Sequence, residues 1–234
     1  SIKQTPEQAI ERVADCEVMI INKVLVTPEL IDAAPPLKLI CESATGVNNI
    51  DLEYAASKGI PVRNAVGYST FAVAETTLCS ALALLREVTY YDNYFKSGEY
   101  AAAERIFNFD RPTAQLRGKR WGIVGMGNIG REVARLAEAF GCEVNYHSTS
   151  GVTRDEQYPA LSLNELLSTS DIVSVHCPLN ERTHNLIANE ELKKMKSSAI
   201  LINVARGGIV NEQDLADALN EGTIRGAALD VFTS

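Results

Sequence analysis

Residues 122–130 read GIVGMGNIG, three glycines in G-x-G-x-x-G spacing where an apolar run gives way to a helical one. Each glycine answers a separate physical demand. Gly125 permits a tight strand-to-helix turn, Gly127 has no side chain to keep a pyrophosphate off the backbone, and Gly130 lets helix and strand pack closely. The helix start adds unpaired N–H groups and the positive end of its dipole. The spacing alone would also suit a plain tight turn. Here the strand-like RWGIVG precedes it, the helical NIGREVARLAEAFG follows, and the next strand, CEVNYH, arrives on schedule. The whole unit reads as a dinucleotide-binding βαβ.

The surrounding pattern agrees. From Leu116 onward, RWGIVG, EVNYH, DIVSVHC, AILINVA and RGAALDV are apolar runs separated by helical segments. Such alternation implies right-handed crossovers and a parallel sheet, with strands covered on both faces and therefore continuously apolar. The first part holds shorter strand candidates, EVMII (17–21), KLICE (38–42) and PVRN (61–64). TPEQAIERVAD and DLEYAASKG are the helices between them, the second with Asp51 as N-cap and Gly59 as its stop. The predicted fold class is α/β, a Rossmann-type doubly wound parallel sheet with a second, smaller α/β domain. The predicted boundary falls within VGYSTF, giving domains 1–69 and 70–234. A helix from about Phe71 to about Glu87 is apolar nearly all round, the pattern of a helix buried on most sides. TYYDNYFKSGEY (89–100) suits either an arm packing on another subunit or a helix lying on its own domain.

Charge and cysteines limit the partners. A net charge of −8 repels nucleic-acid backbones and anionic lipid. No apolar run reaches the roughly 18 residues of a membrane span, and SIKQTPEQ lacks the basic and apolar parts of a signal peptide. Cys16, Cys41, Cys79, Cys142 and Cys177 are far apart, with no C-x-x-C pair, and the three histidines show no ligand spacing with them. The expectation is buried free thiols in a reducing, cytoplasmic setting and no metal site.

One expected feature is missing. The strand after the fingerprint should end in an acid that holds the adenosine ribose hydroxyls. This sequence has YHSTSG, with Ser148 in that place and the nearest cation, Arg154, six residues on. NAD and NADP both remain open.

A second feature asks for explanation. ILINVARGG (200–208) carries an arginine, then two glycines, at the end of an apolar strand. A surface turn would account for it. A planar guanidinium rooted at a strand's carboxyl end could equally grip a carboxylate, because ligands in open α/β sheets sit at those ends.

LRGKRWGIVGMGNIGREVARLAEAFG, VHCPLNERTHNLI, ILINVARGGIVNEQDLADAL and GAALDVF together resemble the NAD(P)-dependent D-2-hydroxyacid dehydrogenases. INKVLVT, SATGVNNIDL and VGYSTFAVAETT resemble the glycerate dehydrogenase and hydroxypyruvate reductase branch. The resemblance spans nearly the whole chain, with several motifs in order. It implies a flavodoxin-like substrate domain incomplete at both ends, hydride transfer between NAD or NADP and a small 2-oxo or 2-hydroxy acid, and a homodimer. Hydroxypyruvate/D-glycerate and glyoxylate are the substrates it suggests.

It also implies roles for individual residues. Arg206 faces the cleft between the domains, binding the substrate carboxylate and polarising its keto oxygen. Thr45 and Gly46 belong to the loop that receives that carboxylate. Thr77 lies near the nicotinamide and Asp230 near its carboxamide, while Gly125, Gly127, Asn128, Ile129 and Gly130 hold the pyrophosphate. Ser148, His176, Cys177, Pro178 and Thr183 surround the adenosine, with Asn203, Val204 and Ala205 also on the cofactor. Plainer readings stand beside these: Thr77 as a hydroxyl bonded to its own helix, Asp230 as a strand-end turn, His176 as a satisfied strand-end histidine that is no base. In the family a glutamate follows the Asp of LDVF and a histidine comes about two dozen residues later, sharing the proton chemistry. These residues stop at Ser234, ahead of both, so the expectation is part of a longer enzyme. The alternative is a non-catalytic dinucleotide-binding relative, redox-sensing or corepressor-like.

Overall fold

The computed structural model describes residues 5–155 and 157–233. The chain divides into two compact units, Ser1–Ser69 and Thr70–Ser234.

In the first unit α1 (Pro6–Val13), β1 (Val18–Ile21), α2 (Pro28–Asp32), β2 (Leu39–Glu42), α3 (Leu52–Ser57) and β3 (Val62–Asn64) alternate. The strands form a parallel sheet in the order β1-β2-β3. Local chemistry sets the helix ends. Asp51 accepts the Tyr54 N–H at 2.9 Å to start α3, and Gly59, at φ +70°, ends it. Ile40 and Ala55 are fully buried at the centre of this core. In β1, however, residues alternate between buried and exposed, and Ile20 is 73% exposed.

The second unit opens with α4 (Thr70–Leu85), α5 (Val88–Lys96) and α6 (Glu99–Ala102). Then β4 (Arg120–Val124), α7 (Asn128–Ala139), β5 (Glu143–His147), α8 (Leu163–Thr169), β6 (Ile172–Val175), α9 (Asn189–Leu192), β7 (Ile200–Asn203), α10 (Glu212–Asn220) and β8 (Gly226–Leu229) follow. All five strands are parallel, in the order β5-β4-β6-β7-β8. The chain winds outward from β4 to β5, then crosses back to lay β6 on the other side of β4. That reversal is the doubly wound arrangement, and it opens a crevice between the ends of β4 and β6. Every residue of β6 and β7 is buried, as continuous apolar runs demand. Each fully buried Ile or Leu here contributes about 1.5–3 kcal/mol.

Two expectations fail. The long helix is not buried on most sides: only Ala74, Thr77, Ala81 and Leu85 are buried, and Phe71 is 66% exposed. These four share one face, because only one stripe of the helix meets the body of its unit. The cysteines also divide. Cys142 and Cys177 are buried, Cys16 and Cys41 partly so, and Cys79 is exposed on α4; all are free thiols. No helix among the described residues is long and apolar enough to cross a membrane.

Candidate functional site

The strand register places the site. Val124 pairs with His147 and with Val175, Val175 with Asn203, and Asn203 with Leu229. These residues form one row across the carboxyl edge of the sheet. The chain leaves that row through Gly125, Ser148, His176, Val204 and Asp230. Most sequence-predicted positions of this unit therefore lie on one edge.

A cavity of about 660 Å³ opens at the β4–β6 crevice. Gly125, Gly127, Asn128, Ser148, His176, Cys177 and Pro178 line it, as do Met126, Arg131, Thr149, Ser150, Arg154, Asn180, Glu181 and Arg182. The three glycines have different reasons to be glycine. Gly125 has φ +102°, and a Cβ there would lie 2.6 Å from the Cys177 nitrogen. A Cβ on Gly130 would be driven into the Gly125 carbonyl oxygen. Gly127 is unlike both. It caps α7 at φ −90°, open to any residue, and a Cβ would meet nothing within 4 Å. The protein's own packing does not call for glycine there. The open space leaves the first-turn N–H groups of α7 accessible to a ligand, and the residues present therefore fit a dinucleotide pyrophosphate.

His176 sits in a polar chain inside the sheet. The Trp121 indole donates to the Ser174 hydroxyl at 2.9 Å, and His176 Nε2 lies 2.9 Å from the same oxygen. Its Nδ1 is buried without a hydrogen-bond partner among the described residues. Burial pushes the imidazole down to about 3, so it is neutral at physiological pH. The unfolded chain takes up this proton near the ordinary histidine value of 6.5, whereas the folded one waits until about 3. Stability is therefore expected to fall as pH drops through that window, with a shallower fall in His176→Gln. Thermal midpoints of both proteins across that range check this, and parallel curves would remove His176 as the cause. Cys177 is held as a thiol, raised to about 11 by burial, which makes it wall and not nucleophile.

Other predicted residues stand apart from the cavity. Thr77 is fully buried, and its hydroxyl donates to the Val73 carbonyl at 2.8 Å, the plainer of its two readings. Ile129 packs partly buried on the core. Thr183 is behind the wall: its hydroxyl accepts from the Asn180 N–H at 2.8 Å and donates to the Pro178 carbonyl at 2.7 Å, shaping the turn that carries Asn180 and Arg182. In the first unit, the Asn64 side chain donates to the Thr45 carbonyl at 2.6 Å, and Thr45 Oγ1 donates to the Ala65 carbonyl at 3.2 Å, fixing the loop before Gly46. The buried Glu42, which receives Asn49 at 2.8 Å at the base of that loop, was not singled out by its sequence context.

Arg206 occupies a built turn at the end of β7. Asn203 is 2% exposed, and its amide spans the turn, accepting the Ala205 N–H at 3.1 Å and donating to the Arg206 carbonyl at 2.9 Å. Val204 is buried in the core, whereas the Arg206 side chain is exposed, with Nη1 donating to the Ala205 carbonyl at 2.7 Å. Gly207 is glycine because the Phe232 backbone crosses where its Cβ would be, and Gly208 turns the chain at φ +79°. Asp230 is exposed at the end of β8, its N–H donating to the Asn203 carbonyl at 3.0 Å. Among the described residues no group of three or more His, Cys, Asp or Glu could hold a metal ion.

Known proteins are similar to this chain in sequence and fold. The family model "D-isomer specific 2-hydroxyacid dehydrogenase, NAD binding domain" matches residues 78–234. A glycerate dehydrogenase of Methylorubrum extorquens is 38% identical over 227 residues, covering 97% of this chain and 71% of its own. A glyoxylate reductase of Korarchaeum cryptofilum is 38% identical over 234 residues, covering 95% of this chain and 68% of its own. The solved TT0316 protein of Thermus thermophilus superposes with a TM-score of 0.92 at 37% identity, covering 99% of this chain and 73% of its own.

Proposed function

This chain belongs to the D-isomer specific 2-hydroxyacid dehydrogenases, and from that premise we propose that it reduces a small 2-oxo acid, hydroxypyruvate or glyoxylate, with a nicotinamide dinucleotide. The observation that carries the reading is Gly127, the N-cap of α7 with open space where a ligand could approach its backbone, on the same strand-end edge as an exposed arginine rooted by Asn203. Gly125, Gly127 and Asn128 hold the pyrophosphate, and the β5 and β6 ends hold the adenosine. When bound, the nicotinamide supplies the hydride. Arg206 grips the substrate carboxylate and polarises the keto oxygen through its planar fork. Asp230 faces the carboxamide. In the first unit, Thr45 and Gly46 form the loop that the family resemblance assigns to a substrate carboxylate, and Thr77 braces its own helix. Neutral His176, its Nε2 taken by Ser174, is not the proton donor. A panel of 2-oxo acids followed by loss of nicotinamide absorbance tests the reading. Failure of hydroxypyruvate and glyoxylate, with turnover of another acid, would move the substrate; silence across the panel with dinucleotide bound would favour a non-catalytic relative.

The assembly we propose is a homodimer. The α5–α6 arm buries none of its residues, and Phe107 and Phe109 beyond it are 68% and 84% exposed with rings 6.0 Å apart. A second copy covering them would remove that apolar surface from water. The double variant Phe107→Asp, Phe109→Asp is expected to halve the solution mass by light scattering. A wild-type monomer, or a dimeric double variant, would defeat this.

A further inference from the structure

The end of β5 carries no acid, yet its surroundings are highly organised. Beyond His147 the chain doubles back through a turn in which Ser148 Oγ donates to the Val152 carbonyl at 2.6 Å and the Gly151 N–H to the Ser148 carbonyl at 3.1 Å. That turn returns Arg154 to the cavity, overcoming the six-residue separation in sequence. Its guanidinium lies on the Ser150 hydroxyl, with Nε at 3.3 Å and Nη2 at 3.2 Å. Among the described residues no carboxylate pairs with it.

The backbone beneath Arg154 is pinned from two sides. Tyr146, fully buried on β5, accepts the Arg154 N–H at 3.0 Å and the Asp155 N–H at 3.2 Å, and its own proton goes to the Asp155 carbonyl at 3.0 Å. From α7, Arg131 pairs with Asp155 at 3.1 Å and reaches the Arg154 carbonyl. Asp155 thus offsets Arg131, and among the described residues Arg154 stands beside the serine hydroxyls with no paired carboxylate. The carboxylate among the cavity's lining residues, Glu181, sits beside Arg182 on the turn after β6. A ribose with free hydroxyls gains from an acid at the strand end, which this chain lacks. A ribose 2′-phosphate gains from a guanidinium fork and a hydroxyl donor, which Arg154 and Ser150 offer.

We infer that this chain prefers the 2′-phosphorylated dinucleotide, NADP(H), to NAD(H), with Arg154 and Ser150 taking the 2′-phosphate and Ser148, Tyr146 and Arg131 as positioning residues. The inference rests on the dinucleotide reading above and concerns the choice between its two cofactors.

The test measures dissociation constants of NADPH and NADH by nucleotide fluorescence, with adenosine 2′,5′-bisphosphate and 5′-AMP as competing fragments. Wild type should favour NADPH by at least about tenfold, and added salt should weaken NADPH more than NADH. Arg154→Ala should erase the preference while moving NADH by less than about threefold. Ser148→Asp should turn it toward NADH, because the new carboxylate accepts ribose hydroxyls and repels phosphate. Tyr146→Phe keeps the buried ring and should lose part of the preference; thermal midpoints confirm that each variant is folded. Equal or tighter NADH binding by wild type overturns the preference and leaves the dehydrogenase reading standing. Binding of neither nucleotide overturns that reading itself. An Arg154→Ala loss shared equally by both nucleotides would remove Arg154 from the phosphate.

Discussion

Arg206→Lys is expected to lower kcat/KM for the 2-oxo acid by about a hundredfold or more, with nucleotide affinity and thermal midpoint nearly unchanged. Lysine keeps the charge and loses the fork. A carboxylate or keto edge that received two parallel charge-assisted bonds would then meet a single point donor. Losing that pair costs on the order of 3 kcal/mol, about two factors of ten in rate. Stability should hold because the side chain is exposed and the turn beneath it is made by Asn203 to backbone groups of Ala205 and Arg206. Nucleotide binding should hold because Arg206 lies outside the cavity at the β4–β6 crevice. Steady-state kinetics alongside nucleotide titration separates these outcomes. Unchanged turnover would return Arg206 to an ordinary surface turn.

The second unit was legible in the sequence because its signals are local and redundant. A run such as DIVSVHC, set among alternating helical segments, suits a strand of a parallel sheet covered on both faces, and it became β6, buried throughout. GMGNIG declared its turn because two of its glycines are sterically required by neighbours within the motif or just past the end of the adjacent strand. Asp51 was readable as a cap, and it accepts the N–H three residues on. What escaped depends on chain reversal. Arg154 is six residues from Ser148, a distance that says little until the Ser148–Val152 bond folds the turn. Tyr146 looked like core filling in EVNYH, and no sequence pattern announces that its hydroxyl would meet three backbone groups of residues 154 and 155. The apolar circumference of α4 misled because composition does not reveal which stripe meets a neighbour: small Ala74 and Ala81 pack inward, while Phe71 stays out.

Gly127→Val is expected to cut dinucleotide affinity by about a hundredfold or more while the fold survives, and Gly130→Ala is expected to do the reverse in order of cause. At Gly127 the backbone is extended, a Cβ has open space around it, and no side-chain cap is lost. The thermal penalty should stay within about 1 kcal/mol, the scale of a changed N-cap residue. The affinity loss has a different origin. A branched side chain over the first turn of α7 holds the pyrophosphate away from the N–H groups, and displaced charge-assisted bonds are each worth about 1.5–3 kcal/mol. At Gly130 the added methyl collides with the Gly125 carbonyl oxygen, so β4 and α7 must separate. Overpacking of that kind costs about 1–3 kcal/mol of stability, and any binding loss follows from the displaced turn. Thermal midpoints and nucleotide titrations on both variants should therefore give opposite signatures, intact fold with lost binding for Gly127→Val, weakened fold first for Gly130→Ala. Wild-type affinity in a folded Gly127→Val protein would mean that no phosphate approaches this helix, and the cavity beside it would lose its claim to the dinucleotide.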